Sequence, residues 1–388
     1  MKRLDALLSA ARHRTGEIVP RLHHWCAINS FTGNVTGVNA QGEALAEAFA
    51  LRGLTMARRP GNGVGDHLFW RTPAWDTVPA VERVLLVGHH DTVFPPGTFE
   101  AWDLDEAGDR LRAPGALDMK GGIAVIAAAL TAFSDCGALA DVPVGFVSVA
   151  DEETSSLDSA PWLREIAAGA GAALVFESGR AGDAIITRRK GTGRFTLNVT
   201  GKAAHAGNNL ADGINAIVAL ARLLDRVADF GAPERGLTLN VGTCRGGESV
   251  NTVPAHAEAV ADFRVERAED ARDLFTRLEA AAAEVAERSG AAIVVGGGLR
   301  RPPLERSPAS EALMRAYAEC ALAAGLGAPE AALLGGGSDA NTVSAIGVPA
   351  IDGLGPRGKG FHTHDECIEL SSLGPKVEAL VRFLARPR

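Results

Sequence analysis

The sequence predicts an α/β protein, a largely parallel mixed sheet with helices on both faces and an inserted, smaller ferredoxin-like βαββαβ domain. Three observations predict it. The short apolar runs Val84–Gly88, Val144–Ala150 and Ala173–Phe176 stop at His89-His90-Asp91, Asp151-Glu152-Glu153 and Glu177. Runs this short and uniformly apolar read as strands buried on both faces. Helical segments alternate with them through Glu177, the β-α-β-α-β order of a parallel sheet. After Glu177 the pattern switches to half-exposed alternation, and the order becomes β-α-β-β-α-β.

Taken in order, residues 1–55 read as helices broken by turn formers at Asn29–Asn34. The strand at 84–88 follows, and Trp102–Leu111 reads as a small exposed hairpin. Asp118-Met119-Lys120-Gly121-Gly122 opens an apolar helix, Ile123–Phe133. A second strand, a helix over 159–168 and a third strand complete the first half. Alternating strands at 184–187 and 195–199, a helix over 214–227, strands at 237–243 and 257–265, a helix over 269–288 and a strand at 292–295 make the insertion. The expected domains are therefore 1–184 and 298–388, with 185–297 inserted. Arg180–Asp183 and Gly296-Gly297-Gly298 are candidate hinges. The last segment returns to α/β patterning, with helices over 310–323 and after Gly335–Asp339, and a strand at 349–352.

At 388 residues the chain has length for two domains, and 46% apolar with 22% charged residues suits an ordinary globular protein. A formal net charge of −8 without a basic block argues against nucleic acid or an anionic membrane as partner. The 5 cysteines are scattered and form no C-x-x-C pair, which points to a reducing compartment and away from a structural zinc ribbon. The start, Met1-Lys2-Arg3 followed by Leu4–Ala11, is interrupted by Asp5 and reads as an amphipathic helix, not a signal peptide. No run of eighteen apolar residues appears, so no membrane span is expected, and the expected location is the cytoplasm.

Each polar cluster alone has a bland reading. A His beside an Asp at a strand end is commonly solvated, Asp118 could cap its helix, and His362 could be a loop residue. Their conjunction at strand ends and helix starts of one α/β domain points instead to a shared metal site. The candidate ligands are His89, Asp118, Glu153, Glu177 and His362. Imidazoles and carboxylates without thiolate suit zinc, cobalt or manganese at an open hydrolytic site. Five ligands fit two ions if one carboxylate bridges. Such a pair, about 3.5–4 Å apart, can activate a shared water. Side-chain alternation would turn Glu152 away from Glu153, freeing it as general base. Asp91 would accept the other ring N–H of His89. His90 and His364 are expected to be bystanders.

The set Gly88–Val93, Gly115–Gly122, Asp151-Glu152-Glu153, Phe176-Glu177 and His362 resembles the di-zinc peptidase and deacylase family of aminoacylase, acetylornithine deacetylase, succinyl-diaminopimelate desuccinylase and glutamate carboxypeptidase. The resemblance spans almost the whole chain and implies a di-zinc peptidase-like catalytic domain. It implies Asp118 as the bridging ligand, His89 and Glu177 on one zinc, Glu153 and His362 on the other, and a cis peptide after Asp118. It also implies Glu152 as general base. Gly201–Gly207 resembles the segment whose histidine, here His205, reaches the partner subunit's site, which implies a homodimer through the inserted domain. Asn251-Thr252-Val253-Pro254 and the Asp262-Phe263-Arg264 strand resemble the elements that hold a substrate α-carboxylate. Arg264 offers the planar fork this needs, and Gly360 would let backbone approach it. Glu at position 177 goes with carboxypeptidases and deacylases.

The implied activity is hydrolysis of an amide or peptide bond beside a free carboxylate, in a small peptide or N-acyl amino acid. A biosynthetic deacylase of the acetylornithine or succinyl-diaminopimelate type is the alternative. A non-catalytic binding protein on the same scaffold would be expected to lack Glu152 or a ligand, and none is missing.

Overall fold

The computed structural model describes residues 2–387. The chain forms two compact units. The first comprises the chain up to Thr187, Arg306–Leu333 and the chain from Ser338 onward; the second comprises Arg188–Glu305 and Leu334–Gly337.

The first unit opens with α1 (Lys2–Thr15), α2 (Ile18–Ala27) and α3 (Val35–Ala48), then β1 (Thr55–Arg59), β2 (His67–Arg71), α4 (Pro73–Thr77) and β3 (Val84–His89). It continues with β4 (Asp103–Asp105), β5 (Arg110–Arg112), α5 (Gly121–Asp135), β6 (Val144–Val149), α6 (Ala160–Ala167) and β7 (Ala172–Val175). The second unit holds β8 (Gly191–Thr200), α7 (Ala216–Ala228), β9 (Thr238–Gly246), β10 (His256–Val265), α8 (Ala268–Ser289) and β11 (Ala292–Arg301). The chain then returns to the first unit with α9 (Pro308–Ala323), α10 (Asp339–Ser344), β12 (Ala350–Ile351), β13 (Gly358–Lys359), β14 (Cys367–Glu369) and α11 (Leu373–Leu384).

The main sheet has the order β1-β2-β6-β3-β7-β12. β3 runs parallel to β6 and β7, β7 runs parallel to β12, and β2 and β1 add an antiparallel edge. Every residue of β3 and β6 is buried, as their apolar composition requires. His89 pairs with Val149, and Val87 with Val175, so the carboxyl ends of the three predicted strands lie side by side.

One stretch, Ala116–Asp135, is long and apolar enough to cross a membrane by length and composition, although Asp118 and Lys120 interrupt its apolar run. It is wholly buried inside the first unit, where α5 packs on β3. The glycine start of α5 has a steric cause. A Cβ on Gly122 would lie 2.0 Å from the carbonyl oxygen of Phe176.

In the second unit the sheet order is β11-β8-β10-β9, all neighbours antiparallel. With α7 and α8 this is the ferredoxin-like βαββαβ arrangement. Phe195, Leu197, Leu220, Leu223, Phe263, Leu274 and Leu278 form its core.

Two expectations need correction. The glycine run 296–298 is no hinge loop, because it lies inside β11 and pairs with Thr196, Phe195 and Arg194 of β8. Residues 184–187 form no strand; Ile185 and Ile186 make only single bridges, to Glu330 and Asp352. The predicted hairpin near Trp102 exists as β4 and β5, but it belongs to a sheet of order β13-β14-β5-β4. β13 and β14, two and three residues long, are too short to leave a periodic signal.

Candidate metal centre

β3 delivers His89 at its end, and the turn after β6 carries Glu152 and Glu153. The segment after β7 carries Glu177, and the loop between β13 and β14 carries His362. Asp118 comes from the turn before α5. There the backbone is extended, with φ −120° and ψ 92°, and the Asp118–Met119 peptide is cis. Asp118 therefore does not cap the helix; α5 begins after Lys120.

These residues converge. Asp118 turns one carboxylate oxygen to each histidine, Oδ1 at 3.2 Å from His89 Nε2 and Oδ2 at 3.3 Å from His362 Nε2. Glu177 Oε1 lies 3.6 Å from the same nitrogen of His89, and Glu153 Oε2 lies 3.1 Å from that of His362. Donor atoms of His89, Asp118 and Glu153 lie within 4.8 Å of one another, as do those of His89, Glu152 and Glu177. His362 is half exposed, and the others are buried or largely so.

Charge decides what this cluster can be. Burial and the neighbouring Asp118 push the Glu153 carboxyl up to about 8, and the same two causes hold Glu177 well above the usual range. Asp118 is held low in spite of its burial, by hydrogen bonds from His362 and His89. His362 rises to about 10 through its bonds to Asp118 and Glu153. Burial works against a proton on His89, but Glu177, Asp118 and Asp91 outweigh it and raise the ring well above its ordinary value. Carboxylates this close and this dry need positive charge among them. Glu153 Oε1 is buried with no hydrogen-bond partner among the described residues. An N/O donor set without thiolate, with Asp118 facing both histidines, fits divalent cations.

Asp91 sits behind His89. Its backbone oxygen lies 3.0 Å from Nδ1 and its Oδ1 3.3 Å. Its two oxygens also accept the N–H groups of Glu152 and Glu153, both at 3.2 Å, and Oδ2 accepts the Thr32 hydroxyl at 2.7 Å. The strand-alternation argument for separating Glu152 from Glu153 does not hold. β6 ends at Val149, and Glu152–Thr154 is a single 3₁₀ turn. His90 is buried against Ser148, and His364 stacks on Phe99; neither has an ion pair with the cluster among the described residues.

The remaining predicted residues divide. Gly360 belongs to the His362 loop. Its φ is +79°, and a Cβ there would lie 2.6 Å from the oxygen of Asp365, so the turn itself demands glycine. His205, Asn251 and Arg264 are in the second unit. His205 and Asn251 are neighbours, since Ala206 N–H donates to Asn251 O at 2.9 Å and His205 pairs with Thr252. His205 Nδ1 accepts the N–H groups of Gly207 and Asn208, both at 3.1 Å, which in the neutral ring puts the proton on Nε2. Arg264 lies on β10 with Nε donating to Asp262 at 2.9 Å.

Beside the Asp118 turn, two buried charges carry no role in the sequence analysis. Lys120 Nζ donates to the carbonyls of Trp25 and Ile28, at 2.9 and 3.0 Å, tying the turn to the end of α2. Glu366 accepts backbone N–H groups of Gly115, Leu117 and Asp118. Its only signal is a carboxylate directly before the apolar Cys367-Ile368.

The profile of "Peptidase family M20/M25/M40" matches residues 85–386. Carboxypeptidase G2 from Pseudomonas sp. (strain RS-16) is 29% identical, over 99% of this chain and 92% of its own. Succinyl-diaminopimelate desuccinylase from Cereibacter sphaeroides is 32% identical, over 86% of this chain and 89% of its own. Among solved structures, aminopeptidase PepT from Bacillus cereus ATCC 10987 superposes with a TM-score of 0.78 at 22% identity, covering 95% of this chain and 98% of that one.

Proposed function

The chain belongs to peptidase family M20/M25/M40, a metal-dependent hydrolase by that membership, and we propose that it cleaves an amide or peptide bond adjacent to a free α-carboxylate. The observation that carries this reading is Asp118 with one oxygen toward each of two histidines, flanked by Glu153 and Glu177. His89, Asp118 and Glu177 would hold one Zn²⁺, and Asp118, Glu153 and His362 the other; Co²⁺ or Mn²⁺ could substitute. When bound, such ions polarise the scissile carbonyl and acidify water.

Glu152, whose carboxylate lies within 4.8 Å of donors on His89 and Glu177, takes the proton of the attacking water and passes it to the leaving amine. Asp91 holds the His89 ring by Nδ1 and fixes the turn that carries Glu152. His205 donates from Nε2 to the carbonyl oxygen as negative charge develops. Its supply by a second subunit makes the protein a homodimer in this reading. Asn251, Arg264 and Gly360 bind the α-carboxylate. The full-length likeness to a carboxypeptidase supports a C-terminal amino acid or N-acyl amino acid as substrate. The likeness to a desuccinylase favours a second reading, a biosynthetic deacylase with the same metal centre. The 5 cysteines are all unpaired, which supports a cytoplasmic location.

Amine release from a panel of N-acyl amino acids and dipeptides tests the substrate class. Turnover of N-acyl glutamate or of a peptide with C-terminal glutamate supports the first reading. Preference for acylated ornithine or diaminopimelate moves the enzyme to the second.

A further inference from the structure

We infer that Glu366 is a positioning residue, locking the turn that carries Asp118 to the loop that carries His362 and so setting the spacing of the metal centre. This rests on reading those two residues as metal ligands. Glu366 is completely buried. One carboxylate oxygen accepts the N–H groups of Leu117 at 2.8 Å and Asp118 at 3.0 Å, and the other accepts that of Gly115 at 3.2 Å. The turn needs such an acceptor. Gly115 is left-handed, and Asp118 and Met119 are non-helical, so α5 cannot extend its own ladder back to these N–H groups. Side-chain oxygens that collect these N–H groups satisfy donors that would otherwise be stranded in a dry turn, which is costly.

The other side of the link is short and stiff. Glu366 lies four residues beyond His362 and directly before β14, which pairs with β5 through Cys367–Arg112 and Ile368–Leu111. Its own N–H donates to Thr363 O at 3.2 Å, and Thr363 N–H to Gly360 O at 3.0 Å, closing the loop around His362. His362 itself has a φ of +62° and is half exposed, so little packing fixes its ring. Asp118 Oδ2 and His362 Nε2 face each other at 3.3 Å from segments far apart in the chain. Glu366 is the buried group that touches the first segment and is covalently part of the second. Lys120 anchors the other end of the Asp118 turn to α2, so the turn is held from both sides.

Removing a group that orients a ligand typically costs about 10–100-fold in metal affinity. Co²⁺ is titrated into chelator-stripped wild type, Glu366→Ala, Glu366→Asp and Glu366→Gln, followed by calorimetry and the visible cobalt spectrum. Gln keeps an acceptor oxygen for Leu117 and Asp118 and gives up only the longer bond from Gly115, whereas Asp is one methylene too short for all three. The expected result is a loss of about 10–100-fold in Co²⁺ affinity with an altered spectrum for Ala and Asp, and a smaller loss with a wild-type-like spectrum for Gln. Wild-type affinity and spectrum in the Asp variant overturn the inference. If Ala does not fold, the Asp and Gln pair still decides. Lowered thermal midpoints of the stripped variants with unchanged Co²⁺ affinity show a packing role only and also overturn it. Wild type failing to bind Co²⁺ overturns the metal-centre reading, and this inference with it.

Discussion

Asp91 faces His89 with Oδ1 3.3 Å from Nδ1, and that same oxygen accepts the N–H of Glu152 at 3.2 Å. One buried carboxylate thus orients a proposed metal ligand and braces the turn bearing the proposed base. The two functions cannot be separated by mutation at this residue.

Asp91→Ala should strand the N–H groups of Glu152 and Glu153 and the Thr32 hydroxyl in a dry site. A loss of about 1–3 kcal/mol in unfolding free energy is expected, together with weaker metal binding. Asp91→Asn keeps one acceptor and should lose less. Denaturant unfolding of the two variants checks the order.

Glu152→Gln should lower kcat by about 10²–10⁴-fold, the usual weight of a general base. Metal content after dialysis should stay at the wild-type level, because Glu152 is not among the proposed ligands. A variant that loses both activity and metal would make Glu152 a ligand.

Asp118 shares itself between two histidines, so its loss should differ in kind from loss of either flank. Asp118→Ala should abolish stoichiometric binding of both ions. Glu177→Ala and His362→Ala should each weaken one. Metal analysis of the dialysed proteins reads this directly, and equal losses across all three variants would contradict a bridging role.

The chelated protein should lose stability as pH rises. His362 stands at about 10 in the folded protein against an ordinary 6.5, so its contribution is complete below about 6.5 and disappears as pH passes 10. Glu153 stands at about 8 against 4.5, and its held proton acts in the same direction, the benefit vanishing through pH 8. Zinc requires deprotonated ligands, so the rise in Tm on adding zinc should grow with pH. A chelated Tm that climbs between pH 6.5 and 9 would contradict this.

The proposed donation by His205 across subunits predicts complementation. Mixed under conditions of subunit exchange, inactive His205→Ala and Glu152→Ala proteins should regain part of the activity. A mixture that stays dead removes His205 from the partner's site.

Much of this was legible in the sequence, for identifiable reasons. Val84–His89 announces itself because a strand buried on both faces leaves no ambiguity of period, and a histidine at its end has no packing motive. His89, Glu153 and Glu177 could be named because each closes or follows an apolar strand; Asp118 stands before an apolar helix, and His362, in a loop between two very short strands, could be named only from the conjunction and the resemblance. The legible part stops where structure depends on backbone detail. Glu152 and Glu153 looked like continuing strand, but the turn after Val149 has no signature beyond its charge. Gly296–Gly298 looked like a hinge because glycine is read as punctuation, and its pairing with β8 is non-local. Glu366 was invisible because its partners are backbone N–H groups some 250 residues away, by the sequence separations of 248 to 251. Arg264 donates from Nε to Asp262, two residues along the same strand, and its proposed carboxylate-binding role rests on the resemblance and the chemistry of the fork.

The most direct test of the central claim is amine release from an N-acyl amino acid or dipeptide that wild type turns over, followed through chelation and zinc reconstitution. The account predicts activity lost on chelation, restored by about two equivalents of zinc, the stoichiometry of a two-metal site, and not restored in Asp118→Ala. Full turnover by the stripped protein, or restoration by zinc in Asp118→Ala, would contradict it.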